Sequence, residues 1–254
     1  MNAIYTVRHL SKKFPNSSGE GSEALVDINL EIYEGECLVI TGANGSGKTL
    51  LVRILTGLMD ASSGDALYRG TPVSKCLPLI RRSVGIVFQD ADSQIVGETV
   101  EEDIRFGPEN LKLPKDEIEN RVRDVLKTLD LEGKKETPPR HLSGGEKRRL
   151  AAAGVLAMGC DTVIMDEPFA NLDWPGVEQV LTIILNLRAN KKTVVILTHE
   201  LEKVLAFADR LLILAGGKVR DQGSPGEVLD RLDPAWGVRD PRRSYLKVED
   251  CAWL

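Results

Sequence analysis

Eight residues, Gly42-Ala43-Asn44-Gly45-Ser46-Gly47-Lys48-Thr49, constrain this chain more than any others. They follow an apolar run, Cys37-Leu38-Val39-Ile40, and lead into the helix-like Leu50-Leu51-Val52-Arg53-Ile54-Leu55. Strand, glycine-rich turn, Lys-Thr and helix form the context of a phosphate-binding loop. Glycines let backbone N–H groups converge on phosphate oxygens, and the following helix adds its positive N-terminal end. In that geometry Lys48 reaches the β- and γ-phosphates and the Thr49 hydroxyl ligates Mg²⁺. The spacing is Gly-x-x-x-x-Gly-Lys-Thr, which does not fit the Gly-x-Gly-x-x-Gly pattern of dinucleotide sites. The loop reads as a nucleotide site, and a sheet-centred α/β fold is the scaffold such a loop requires.

The rest of the chain fits that scaffold. At 254 residues there is room for one large α/β domain, or a core with a subdomain, and 42% hydrophobic residues with only 5% aromatics suit an aliphatic, sheet-centred core. A net charge of -5 argues against a nucleic-acid-binding surface covering the protein, while leaving room for a local patch. Cys37, Cys76, Cys160 and Cys251 are scattered, without the paired spacing of a metal site or disulfide framework, which suits reduced thiols. Charges appear early (Arg8, Lys12, Lys13), so no signal peptide is expected. No apolar stretch approaches the ~20 residues of a membrane-spanning helix, so work at a membrane must go through a partner.

Along the chain, Ile4–Val7 and Ile28–Ile32 alternate as strands, separated by a polar stretch, Pro15 to Ser22, that reads as a hairpin loop. Ser62-Ser63-Gly64-Asp65 reads as a turn, and Val84–Phe88 as a buried strand ending at Gln89. From about 90 to 159 the period becomes helical, with Ile118, Val122, Val125, Leu126 and Leu129 on one face, so a helical subdomain inserted into the sheet domain is expected there. Two buried strands, Thr162–Met165 and Thr193–Leu197, flank a helix over Val177–Leu187; this βαβ unit implies a parallel sheet. Arg210–Leu214 and Lys218–Arg220 form a hairpin signal, and Ser224-Pro225-Gly226-Glu227 reads as N-cap, N1 proline and capping-box glutamate. The domain is expected to run over 1–232; residues 233–254 are an unassigned tail.

Two acids, Asp166 and Glu167, end one buried strand, and a parallel sheet delivers that end to the edge carrying the glycine loop. Asp166 is then placed to hold Mg²⁺, and Glu167 to accept a proton from, or orient, a water attacking the γ-phosphate. Two further strand ends carry polar groups. His199 is either a structural terminus or a γ-phosphate ligand, and Gln89 either a polar strand end or a residue touching Mg²⁺ or water. Ser143 and Glu146 are spaced as a capping box, while Gly144 and Gly145 weaken the helix start and expose its N–H groups. Those exposed groups suit a second phosphate-binding surface.

Taken together, these stretches resemble the nucleotide-binding domain of ATP-binding-cassette (ABC) ATPases. Gly42–Thr49 matches its Walker A motif, Gln89 the Q-loop, Leu142–Glu146 the signature, Val163–Glu167 the Walker B strand with its glutamate, Ala170–Asp173 the D-loop and His199 the switch histidine. The signature ends in Glu146, where the family commonly has glutamine. The resemblance implies a P-loop NTPase fold with a RecA-like parallel sheet, an N-terminal antiparallel β subdomain and an inserted helical subdomain. It also implies that Phe14 stacks on adenine, and that a second ATPase subunit, identical or not, brings Ser143, Gly144 and Gly145 to ATP in trans, with Asp173 at the seam. The stretch Phe88–Asn110 resembles the ATPases of energy-coupling-factor (ECF) importers of vitamins or cobalt and nickel ions, where it forms the groove for coupling helices. Integral membrane subunits and the cytoplasmic membrane face are thereby implied. A soluble ABC-type ATPase acting as an assembly or scaffold factor is the alternative.

Overall fold

The computed structural model describes residues 2–15 and 22–242. In chain order its elements are β1 (Ala3–Phe14), β2 (Ser22–Tyr33), β3 (Cys37–Thr41), α1 (Lys48–Leu55), β4 (Ser63–Tyr68), β5 (Thr71–Pro72), α2 (Leu77–Ser83), β6 (Val84–Val87), α3 (Val100–Asn110), α4 (Lys115–Thr128), α5 (Gly144–Met158), β7 (Thr162–Asp166), α6 (Trp174–Ala189), β8 (Thr193–Leu197), α7 (Leu201–Val204), β9 (Arg210–Ala215), β10 (Lys218–Gly223) and α8 (Pro225–Asp230).

β3, β7 and β8 are short, mostly apolar and buried at every position, the signature of strands covered on both faces. They lie in a six-stranded sheet ordered β10-β9-β3-β8-β7-β6, parallel from β9 through β6 with β10 antiparallel at the edge. Alternate residues serve opposite faces. Leu38, Ile40, Val195, Leu197, Leu212 and Leu214 pack with α1, α2 and the second sheet. Val39, Val163, Met165, Val194, Ile196 and Ile213 pack with α3 to α6. The second sheet is antiparallel, ordered β2-β1-β4-β5.

Three helices fill the stretch between β6 and β7, as the change of period predicts. α4 buries Ile118, Val122 and Leu126 on one face. α3 opens with a complete capping box, Thr99 and Glu102. Asp103, buried in its first turn, accepts hydrogen bonds from the amides of Val96 (2.8 Å) and Gly97 (2.9 Å) and so pins the loop leading in. A Cβ on Gly97 would lie 2.3 Å from the Asp103 amide nitrogen, which is why glycine stands there. α5 begins at Gly144 beneath a closed capping box: Ser143 Oγ accepts from the Glu146 amide (3.3 Å) and the Glu146 carboxylate from the Ser143 amide (2.7 Å).

The structure corrects several local expectations. Ser63–Asp65 is not a turn but the start of β4: Arg8 pairs with Asp65, and Gly64, at φ +79°, lies under the His9 carbonyl. β1 and β2 run twelve residues each because register shifts let one long ribbon bend around the core. Ser224 caps α8 without a capping box; its hydroxyl donates to the Glu227 carboxylate at 2.7 Å instead of accepting from the backbone. Residues 16–21 of the expected hairpin loop, and 243–254 of the tail, lie outside the described residues. The first part of that tail packs: Val238 is buried and Trp236 half-buried against the larger core.

Candidate nucleotide site and its relatives

β3 ends at Thr41, and the chain must then reverse into α1 around a tight loop. Gly42 makes this possible: at φ +151° its Cβ position would fall 1.9 Å from the Leu214 carbonyl oxygen. Gly47, at φ +106°, starts α1 without a side-chain cap, so the first N–H groups of the helix are left for a ligand. Ser46 Oγ is buried with no hydrogen-bond partner. A buried polar atom without a partner costs about 1–3 kcal/mol, and a phosphate oxygen would relieve it.

Lys48 is buried, and its ammonium donates to the Gly42 carbonyl (2.7 Å). Burial pushes its pKa below the ordinary lysine value, while the Glu167 and Asp166 carboxylates push it back up. Lys48 Nζ stands 3.8 Å from Glu167 Oε1. The hydroxyl of Thr49 donates to Asp166 Oδ2 (2.8 Å), a contact made across 117 residues by the parallel sheet. Burial raises the Asp166 carboxyl above its usual range, and the Thr49 hydrogen bond opposes that rise. Asp166 Oδ1 is buried without a partner. An unfilled carboxylate oxygen beside a threonine hydroxyl is a hard-oxygen donor pair of the kind Mg²⁺ takes. No cluster of three His, Cys, Asp or Glu among the described residues encloses a cation. That donor set suits an ion completed by waters and substrate phosphates, which is how Mg²⁺ binds in phosphoryl-transfer sites.

Glu167 follows β7 in left-handed backbone, φ +47°, its amide donating to the Leu197 carbonyl (2.8 Å). This turn lets adjacent acids at one strand end face the same cleft. The second carboxylate oxygen, Oε2, lies 3.0 Å from His199 Nδ1. Glu167 is only 7% exposed while the His199 side chain is 56% exposed, so the histidine reaches from solvent to a desolvated acid.

A cleft of roughly 630 Å³ joins Asn44–Thr49 to Gln89, Asp166, Glu167, His199 and, at its rim, Phe14. That volume is in the range of small-molecule sites. Gly42 and Ala43 shape the loop from beneath without lining the cleft. Ser143 and Gly144 are exposed, and Gly145 lines a different cleft with Arg148; the fold does not carry these three to the glycine loop within one chain. Sequence reading missed Gln94. Its amide takes the Phe88 N–H and donates to the carbonyls of Ile86 (3.1 Å) and Ala151 (3.3 Å), fastening the segment after Gln89 to α5. A glutamine in a polar loop gives no local sign of such a role.

Comparison with known proteins agrees with this geometry. A family model described as ABC transporter matches residues 25–170. An energy-coupling factor transporter ATP-binding protein, EcfA, from Methanocaldococcus jannaschii is 39% identical over 232 residues, covering 89% of this chain and 83% of that protein. Among solved structures, cbiO1 from Clostridium perfringens, described as part of the ABC transporter complex cbiONQ, superimposes with a TM-score of 0.79 at 37% identity over 91% of this chain and 92% of that one. A dimeric bacterial ABC transporter cassette superimposes equally well, TM-score 0.79, at 27% identity over 87% and 99%. With a lysine, two acids and a histidine converging on a glycine loop, and with these relatives, the chain belongs to the ABC transporter family as an ATPase subunit similar to those of energy-coupling-factor transporters.

Proposed function

We propose that this subunit energises uptake of a small solute, a vitamin or transition-metal ion, through an ECF-type importer at the cytoplasmic face of the membrane. The observation that carries the catalytic part is the Lys48–Glu167–His199 arrangement beside the Thr49–Asp166 pair. ATP lies with its phosphates on the amides of Asn44–Thr49 and on Lys48, its adenine against Phe14 at the cleft rim. Bound Mg²⁺ would neutralise charge on the β- and γ-phosphate oxygens. Thr49 and Asp166 would hold it, with Gln89 lining the same cleft. Glu167 takes the proton of the attacking water while its other oxygen stays on His199, and Lys48 steadies the charge that collects on the phosphate.

Ser143 and Gly144 stand exposed and Gly145 half-buried at a helix start that offers the Ser143 hydroxyl and the glycine N–H groups, which suits contact with nucleotide held by a second ATPase subunit. A similar cassette is described as dimeric, which supports the reading that two subunits close on ATP. No helix among the described residues is long and apolar enough to cross a membrane. Coupling therefore falls to a surface: a cleft running from Asp166 and Gln89 past Asp90 and Ser93 to Leu58, itself 59% exposed, suits a membrane subunit's helix. Affinity capture of the tagged chain from detergent-solubilised membranes, followed by mass spectrometry, tests this. Recovery of an integral membrane protein is expected. Recovery of only water-soluble partners would sink the importer and favour an assembly or scaffold ATPase.

A further inference from the structure

β6 is the outer strand of the six-stranded sheet, and among the described residues no strand pairs with its far edge. Backbone groups on such an edge still need partners. Along an extended chain the Ile86 carbonyl and the Phe88 N–H point to the same side. Gln94 meets both: its Oε1 accepts from the Phe88 amide (3.0 Å) and its Nε2 donates to the Ile86 carbonyl (3.1 Å). A primary amide offers one carbonyl and two N–H groups, so this single side chain stands in for a neighbouring strand. The second N–H goes to the Ala151 carbonyl of α5 (3.3 Å). Ala91–Ile95 form one turn, closed by the Gln94 and Ile95 amides on the Ala91 carbonyl (3.0 and 3.2 Å), which brings the Gln94 side chain back to β6. Lys147, one helical turn before Ala151 on α5, holds the same segment through Asp92 at 2.6 Å. β6, this turn and α5 are therefore joined at the residue that precedes Gln89.

We propose that Gln94 is a positioning residue for ATP hydrolysis: by pairing with both Ile86 and Phe88 it fixes the direction in which the chain leaves β6. That direction sets how Gln89 approaches the cleft it lines with Thr49, Asp166 and Glu167. Gln89 is exposed, so its backbone rather than surrounding packing decides where its side chain can reach. The inference rests on the reading above, in which Gln89 serves Mg²⁺ and the attacking water. The bond to Ala151 fixes the same direction relative to α5, the helix whose first turn carries Ser143.

The test is a double-mutant cycle on the full-length protein at saturating Mg²⁺. Gln89→Ala comes first, and its loss of turnover establishes the role of Gln89 independently of Gln94. Gln94→Met keeps the length of the side chain and removes all three bonds. It is expected to lower kcat about tenfold, as loss of a group that orients a metal-site residue does, with the KM for ATP within about twofold. Gln94→Glu keeps an acceptor for Phe88 but sets a carboxylate oxygen against the Ile86 and Ala151 carbonyls, and the same pattern is expected. Combined with Gln89→Ala, neither change should lower kcat further, because Gln94 acts only through Gln89. A purely structural role would lower kcat in the Gln89→Ala background as well. Losses that multiply, or wild-type kcat in both Gln94 variants, overturn the proposal. A second readout needs no turnover: hydrogen exchange at the Phe88 amide is expected to quicken in Gln94→Met and to stay at the wild-type rate in Gln89→Ala. An unchanged Phe88 rate in folded Gln94→Met, with folding checked by thermal melting, also overturns the proposal. Wild-type turnover in Gln89→Ala overturns instead the role of Gln89 on which the proposal rests, a result distinct from those.

Discussion

His199 Nδ1 and Glu167 Oε2 stand 3.0 Å apart, with the other Glu167 oxygen 3.8 Å from Lys48. Glu167 thus has one oxygen near a buried cation and the other on an imidazole that reaches in from solvent. A carboxylate shared in this way is oriented before substrate arrives, and preorientation is what a proton acceptor for a phosphate-attacking water needs.

Replacing Glu167 by glutamine keeps the shape and removes the acceptor charge. Turnover of ATP is expected to fall by roughly two to four orders of magnitude, the usual worth of a positioned general base. ATP binding and closure of the subunit pair are expected to persist, so the variant accumulates as an ATP-bound dimer. Steady-state phosphate release with size-exclusion chromatography in ATP measures both, and wild-type turnover would remove Glu167 from the role of base.

Asp166 separates metal from nucleotide. Asp166→Asn leaves an acceptor for the Thr49 hydroxyl but takes the negative charge from the buried end of β7. The Mg²⁺ concentration needed for half-maximal turnover is expected to rise at least tenfold, with a smaller change in metal-free nucleotide binding. Lys48→Ala has the opposite profile: nucleotide affinity goes whether or not Mg²⁺ is present. Calorimetric titration with and without Mg²⁺ distinguishes them, and retained affinity in Lys48→Ala would count against the glycine-loop assignment.

The parts of this site written in the sequence are those whose chemistry demands neighbours along the chain. Gly42 to Thr49 must be contiguous because a single turn has to wrap a phosphate, and Asp166-Glu167 must be adjacent to share a strand end. The Thr49–Asp166 contact was legible one step removed, because a βαβ unit sends both strand ends to one edge. Other features depend on what lies opposite. Ser63–Asp65 carry turn residues but are drawn into β4 by pairing with β1, tertiary pairing overriding local preference. Ser224 and Glu227 have capping-box spacing, yet their side chains bond to one another. The bond from Gln94 to the Ala151 carbonyl follows from how α5 lies on the sheet; no local pattern announces it.

Ser143 combines two roles that substitution can separate. Ser143→Ala opens the capping box and is expected to cost about 1 kcal/mol of stability. Ser143→Asp keeps a good N-cap and so holds the melting temperature near wild type. It also puts a negative charge where the γ-phosphate of the partner's nucleotide is expected. Turnover should therefore fall in both variants, and further in the more stable one. If turnover instead follows melting temperature, Ser143 serves only to cap α5.

Buried thiols give the chain an alkaline liability. Cys37, wholly buried at the start of β3, has its pKa pushed by burial from 9.0 up to about 12. Cys160 is raised for the same reason to about 11. The folded protein keeps these protons while the unfolded chain begins to release them near pH 9, so stability is undiminished below pH 9 and falls as pH rises toward the folded values. Each thiol contributes a loss of about 1.4 kcal/mol by pH 10, the worth of one pH unit. Cys37→Val retains an apolar, strand-favouring side chain and has no proton to lose. Urea unfolding at pH 8 and pH 10 should therefore show the wild type losing about 1.4 kcal/mol more than Cys37→Val over that interval. Equal losses in the two proteins would mean that the Cys37 thiol ionises as readily in the fold as out of it, against its burial in the larger core and the Asp209 carboxylate that holds its amide at 2.8 Å.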